Sequence, residues 1–138
     1  MKEIWLIGIA TGIGVAIGLA AGGVFARSDR APIVAALVGL VGGGLIGWLV
    51  FDWKAGVVGA VAGVLSGYGA GTFARGALKR GGDYAGTAFI LVAAGILAGA
   101  VSLIPVVGFI EAILIPVIGL RSRQRADDKY AGLRTLAK

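Results

Sequence analysis

The chain has 138 residues, of which 58% are hydrophobic and 14% are charged, with a mean hydropathy of +0.95 and a net charge of +6. This composition excludes a soluble monomer and a disordered chain, and it is typical of helices embedded in a lipid bilayer. The absence of Cys and His removes disulfides, thiolate nucleophiles and the commonest ligands of zinc, copper and haem, so we expect neither a metal nor a cofactor.

Four apolar stretches are each long enough to cross about 30 Å of hydrocarbon as a helix. In chain order they cover residues 4–26, 31–51, 55–74 and 84–103. Pro32 falls where a first-turn proline is tolerated, with Ser28 or Asp29 available to cap the second helix. Asp52 and Lys54 flank Trp53 at the predicted outer turn, where we expect them to cap and neutralise a tight connection.

A fifth apolar segment, residues 105–120, is shorter and carries a carboxylate and two prolines. As a helix it would be only about 24 Å long, so it is either a short fifth span or a re-entrant hairpin. Each proline removes a backbone donor, which predicts an interrupted helix around Pro105, Gly108 and Pro116. Irregular backbone at membrane depth needs protein or a water-filled cavity to cover it.

The basic residues predict the orientation of the chain in the membrane. Nearly all Lys and Arg lie in residues 27–30, 75–83 and 121–138, and five spans place these three segments on one side. The positive-inside rule then puts the N-terminus outside and the C-terminus in the cytoplasm, and we expect the cytoplasmic membrane of a prokaryote. Three aromatic residues would lie at the outer interface, where aromatic belts form: Trp5, Trp48 and Trp53.

Glycine recurs every fourth residue along the predicted helices, so one face of each helix has no side chains. In lipid, such faces allow close backbone approach, which supplies much of the association energy. The predicted packing residues are Gly14, Gly18, Gly22, Gly39, Gly43, Gly47, Gly59, Gly63, Gly67 and Gly71. We therefore predict an all-α, glycine-zipper bundle. Because it has more such faces than its own helices need, we expect a homo-oligomer or a subunit of a membrane complex.

The first and third helices can be aligned as a repeat of 48 residues. The matched residues include Trp5 with Trp53, Gly8 with Gly56, and Arg27 with Arg75. Two helices return the chain to its starting side, so this predicts two parallel two-helix units followed by the Pro-interrupted terminal segment. Chance similarity between helices rich in Gly, Ala and Val is the alternative explanation.

Glu111 is an ionisable residue placed deep in an apolar segment. A carboxylate in hydrocarbon costs about 2.5 kcal/mol or more on insertion scales, so such a residue marks a candidate functional site. One interpretation makes Glu111 a group that binds a proton or a cation. The other gives it a structural contact, either with backbone N–H groups near a proline or with an arginine in an oligomer.

The cations beside the spans are predicted to contact lipid headgroups. They are Arg75, Lys79, Arg80, Arg121, Arg123 and Arg125. Residues 1–120 would form a single transmembrane domain, and residues 121–138 a basic amphipathic cytoplasmic tail that lies on the membrane or docks onto a partner. The charge pattern indicates the lipid bilayer, and not a nucleic acid, as a binding partner.

Two functions follow as hypotheses. The first is a small oligomeric channel or transport component, with Glu111 as its ion- or proton-sensitive group and residues 105–116 as its constriction. The alternative is a structural or accessory subunit that organises a larger complex through glycine-zipper packing. We expect no enzymatic activity, because the sequence offers no recognisable pair of nucleophile and base.

Overall fold

Residues 2–104 fold into four apolar helices joined by short turns. The computed structural model describes residues 2–104 together with residues 110, 113–115, 117–118 and 121. The helices are α1 (Lys2–Val24), α2 (Ala31–Val50), α3 (Trp53–Lys79) and α4 (Tyr84–Val101), and no strand occurs among the described residues. Each helix is long and apolar enough to cross a membrane. The predicted all-α fold is therefore confirmed for this part of the chain, together with four candidate spans.

Large apolar side chains cover the outside of the bundle. On α2 and α4 they include Leu49 and Phe89, which are 78% and 75% exposed. Soluble proteins rarely leave extensive apolar surface in contact with water. This surface is compatible with an integral membrane protein whose outer side chains face lipid.

The predicted fifth span lies mostly outside the described residues. Those that are described within it, such as residues 113–115, are helical, and Ile115 packs against the core. The remaining predictions concern residues outside the described set: Pro105, Gly108, Glu111, Pro116, Arg123, Arg125 and the tail beyond residue 121. They stay predictions, as does the choice between a fifth span and a re-entrant hairpin.

Helices α1 and α3 form the centre of the bundle. Helix α1 contacts each of the other three helices, whereas α3 packs closely on α1 and α2 and touches α4 only slightly. Helices α2 and α4 lie on different sides of this central pair and do not contact each other. The core is built mostly from small side chains such as Ala70 of α3, and its larger members are Val15 and Leu19 of α1 and Leu91 of α4.

The start of α2 differs from the expected cap. Arg30 is the N-cap residue and makes no side-chain cap hydrogen bond, so the prediction of a cap by Ser28 or Asp29 is wrong. The Ser28 hydroxyl instead accepts a hydrogen bond from the backbone N–H of Arg30 at 3.2 Å, and Asp29 turns toward Arg75 on α3. Pro32 lies in the first turn, as predicted, where its missing N–H has no intrahelical acceptor.

Candidate functional site

Helices α2 and α3 meet in an antiparallel register that repeats every four residues. The facing pairs are Ala31 with Gly71, Ala35 with Gly67, Gly39 with Gly63, Gly43 with Gly59, and Gly47 with Ala55. A Cβ built on Gly71 would lie 2.6 Å from the Cα of Pro32, and one built on Gly47 would lie 2.7 Å from the carbonyl oxygen of Ala55. The two backbones are thus so close that any side chain at these glycine positions would displace the facing helix.

Helices α1 and α3 run parallel and also touch through small residues. Gly18 contacts Ser66, and Gly22 contacts Ala70, so residue numbers rise together along both helices. Ser66 is fully buried, and its hydroxyl donates to the carbonyl oxygen of Gly63 at 3.2 Å. Its polar group is therefore satisfied within its own helix, as burial requires.

Three glycines from three helices meet at a single crossing. A Cβ on Gly43 would lie 2.9 Å from the Cα of Gly14, and a Cβ on Gly59 would lie 2.6 Å from the carbonyl oxygen of Gly43. A Cβ on Gly14 would in turn collide with the carbonyl of Gly59. The crossing is consequently filled by backbone atoms of α1, α2 and α3.

Helix α4 packs on α1 in the antiparallel direction. A Cβ on Gly95 would lie 2.7 Å from the carbonyl oxygen of Ala16, and Gly12 contacts Ser102 just after α4. Ser102 is buried, and its hydroxyl donates to the carbonyl oxygen of Gly99. Since Gly12 lies seven residues after Trp5 on α1, the end of α4 stops about 10 Å short of the level of Trp5.

All ten predicted packing glycines face another helix of the same chain. The expectation of an oligomer rests on the premise that these faces are more than the chain's own helices need. That premise does not hold for these ten positions. An oligomer stays a prediction, and it would have to use other surfaces.

Three of the predicted headgroup residues, Arg75, Lys79 and Arg80, lie at the end where α1 and α3 finish. There, the turn after α1 and the last turns of α3 line a shallow, open pocket of about 240 Å³. Its lining residues are Ala26, Arg27, Ser28, Asp29, Arg75, Leu78 and Lys79. Arg80 and Arg121 are exposed and are not among them.

Two contacts position Arg75 and Arg27 beside this pocket. A guanidinium nitrogen of Arg75 lies 2.8 Å from a carboxylate oxygen of Asp29, whose side chain is 96% exposed. The guanidinium of Arg27 lies 4.0 Å from the centroid of the Tyr84 ring, and the Tyr84 hydroxyl donates to the carbonyl oxygen of Val24 at 2.8 Å. Arg27 is not among the headgroup residues predicted from the sequence, although its match with Arg75 in the 48-residue repeat is a signal for it.

The turn between α3 and α4 places Tyr84, the first residue of α4, beside the basic pocket. Gly81 adopts a φ of +86°, and the N–H groups of Gly81 and Gly82 donate to the carbonyl oxygens of Leu78 and Ala77. This is a Schellman ending, which favours glycine at the left-handed position. Asp83 then caps α4 by accepting a hydrogen bond from the N–H of Gly86 at 2.8 Å.

The tryptophans occupy the opposite end of the bundle. Trp48 lies in the last turn of α2 and Trp53 begins α3, on either side of their connecting turn, and Trp5 lies in the first turn of α1. All three are exposed. One end of the described bundle is thus aromatic and the other basic.

Comparison with protein-family models, with curated proteins and with solved structures gives no match. Across the described ranges, no group of three acidic side chains comes together that could hold a metal ion. The glycine crossing and the basic pocket are therefore the features from which function is inferred.

Proposed function

We propose that this protein is a structural or accessory subunit of a membrane complex, folded as a glycine-zipper bundle. The observation that carries the proposal is the crossing of Gly14, Gly43 and Gly59. Backbone atoms of three helices fill this point, so a solute has no path between α1, α2 and α3. Close packing of this kind suits a rigid membrane element better than a conduit.

Such a subunit acts through its outer faces. Helices α2 and α4 bury a smaller part of their surface than the central helices do, and they expose large side chains such as Leu40 and Phe89. In a membrane these faces contact either lipid or neighbouring proteins. The proposal assigns at least one of them to a second copy or to a different subunit.

The test is the mass of the assembly extracted from native membranes into polymer-bounded lipid discs. We expect native mass spectrometry to give a discrete assembly heavier than the 13.8 kDa chain. Leu40→Trp changes the outer face of α2, and Phe89→Trp changes that of α4. The variant that dissociates the assembly without loss of helicity identifies the face that binds the partner. A 13.8 kDa species that carries only lipid would contradict the proposal.

A channel or transport component with Glu111 as its ion- or proton-sensitive group is the second candidate, and the end of α4 favours it. Ser102, at the end of α4, contacts Gly12, which lies in the middle of α1. Helix α4 therefore ends before it reaches the N-terminal end of α1. The residues that follow would begin at membrane depth, where irregular backbone is tolerated only beside protein or a water-filled cavity. A conduit beside the bundle, and not through its centre, is compatible with the glycine crossing.

Flux through liposomes separates the two candidates. Reconstituted native protein would be compared with Glu111→Gln, using dyes that report pH and potassium. Flux that Glu111→Gln abolishes or shifts in pH, with assembly intact, would favour the channel. Absence of flux from a folded, correctly assembled native sample would exclude it and leave the structural role.

A further inference from the structure

The basic pocket has the composition of a site for a phosphate group. Three cations line it, namely Arg27, Arg75 and Lys79, against the single carboxylate of Asp29. Guanidinium groups bind phosphate through two parallel hydrogen bonds, and a lysine ammonium adds a point charge. The pocket is also large enough for a phosphate and the first carbons attached to it, at about 240 Å³.

We propose that this pocket binds one phosphate monoester or diester. The position for the anion is marked by the Asp29 carboxylate, which lies 2.8 Å from the Arg75 guanidinium. Because the Asp29 side chain is 96% exposed, it can turn into solvent at small cost and leave Arg75 to the ligand. Asp29 is thus an internal competitor for the phosphate.

Arg27 is held in place before any ligand arrives. Its guanidinium stacks over Tyr84, and the hydroxyl of Tyr84 is tied to the carbonyl oxygen of Val24. A cation already ordered by an aromatic ring loses less conformational entropy on binding than a free surface arginine. The contact thus links the start of α4 to the pocket between the turn after α1 and the last turns of α3.

The phosphate can come from two sources with the same chemistry. The pocket lies at the end of apolar helices, where lipid headgroups reside in a membrane, and Leu78 gives it an apolar wall. An anionic phospholipid and a soluble phosphate ester are therefore both suitable ligands. The proposal is independent of the structural role assigned above, since a bundle with or without partners carries the same pocket.

Binding would be measured on the purified full-length chain in detergent. The probes are a short-chain phosphatidylglycerol, counted by native mass spectrometry, and inorganic phosphate, measured by calorimetry. Two variants remove pocket cations, Arg27→Gln and Arg75→Gln. Two matched controls, Arg30→Gln and Arg80→Gln, remove an equally charged, exposed side chain at the same end but outside the pocket lining.

We expect each pocket variant to weaken binding about tenfold, the loss of one charge-assisted contact, and each control less than about twofold. Asp29→Asn should tighten binding several-fold, whereas Asp83→Asn, which keeps a cap at α4, should not. Unchanged helicity and elution of every variant exclude unfolding as the cause. If only phosphatidylglycerol binding follows this order of variants, the ligand is a phospholipid headgroup. If inorganic phosphate binding follows it, the ligand is a soluble phosphate ester. Equal losses in all four arginine variants, or no saturable binding of either probe, would overturn the proposal.

Discussion

Gly43 of α2 packs directly on Gly14 of α1, and a Cβ added to Gly43 would lie 2.9 Å from the Gly14 Cα. The two helices reach this distance on the side where Gly59 of α3 also approaches both. Three backbones in mutual contact form many weak van der Waals contacts, which is the main source of helix association in lipid. A single methyl group at this crossing therefore has to move a whole helix.

Gly59→Ala should destabilise the bundle. Its new methyl group would lie 2.6 Å from the carbonyl oxygen of Gly43, and overpacking of a tight core costs about 1–3 kcal/mol. Gly86→Ala is the matched control, because the nearest atom to its Cβ is an Asp83 carboxylate oxygen at an ordinary 3.6 Å. Thermal unfolding in detergent, followed by circular dichroism, should show a lower midpoint for Gly59→Ala alone. Equal unfolding midpoints for both variants would contradict the close packing of Gly59 on Gly43.

The aromatic and basic ends predict which loops face the cytoplasm. Ser28→Cys lies in the basic turn after α1 and Lys54→Cys lies beside Trp53, and both side chains are exposed. The positive-inside rule predicts that a membrane-impermeant maleimide labels Lys54→Cys on intact cells but reaches Ser28→Cys only after lysis. The reverse pattern would invert the predicted orientation. Labelling of both on intact cells would show that the two ends do not lie on opposite sides of the membrane.

The helices themselves could be predicted from sequence because apolar length is a local property. The exception is the end of α3, predicted at residue 74 but found at Lys79. Hydropathy falls at Arg75, yet a helix does not have to stop where it leaves hydrocarbon. Its end is determined by the glycine turn at Gly81, which the hydropathy pattern places only in a loop.

The partners of each glycine face and of the loop charges could not be predicted in the same way. Gly39 and Gly14 belong to faces of nearly identical composition, so nothing local indicates that one contacts α3 alone and the other lies at a three-helix crossing. The sequence predicts Asp29 as a candidate cap for the helix beside it, but its partner Arg75 is 46 residues away. Contacts of this range depend on the packing of whole helices, and the sequence of one segment does not contain them.

The 48-residue repeat predicts some of these long-range similarities. Ala26 and Ala74, matched by the period of 48, are both buried, and the preceding Phe25 and Phe73 are both exposed. The two motifs nevertheless differ in conformation, since the first lies in a turn and the second within α3. The two motifs thus have the same burial but a different backbone conformation. As a result, Arg27 reaches the pocket from the turn after α1, whereas Arg75 reaches it from α3.

Asp52→Ala tests the cap of α3. The Asp52 carboxylate accepts a hydrogen bond from the N–H of Ala55 at 2.7 Å, and replacing such a cap by alanine costs about 1 kcal/mol. Asp52→Asn should retain most of this stability, since asparagine caps equally well. Asp29→Ala is a charge-matched control whose exposed ion pair should contribute little. Reversible unfolding in mixed micelles would report the three values, and an Asp29→Ala loss as large as that of Asp52→Ala would contradict this assignment.

Engineered disulfides test the arrangement of the helices in a chain that has no native Cys. The Cβ of residue 44 would lie 3.2 Å from that of Ala60, and the Cβ of residue 99 would lie 3.3 Å from that of Ala16. Both separations need only a small adjustment to reach the 3.5–4.5 Å usual in a disulfide. We therefore expect mild oxidation to close Gly44→Cys with Ala60→Cys, and Ala16→Cys with Gly99→Cys.

The control pair combines Gly44→Cys with Gly99→Cys, on helices α2 and α4, which do not touch. Closure would be read from the loss of both thiol hydrogens in the intact mass and from protection against maleimide. Because every variant carries two cysteines, differences in reactivity reflect distance and not thiol number. Efficient closure of the control within one chain would require α4 to lie beside α2, and would overturn the placement of α1 and α3 at the centre.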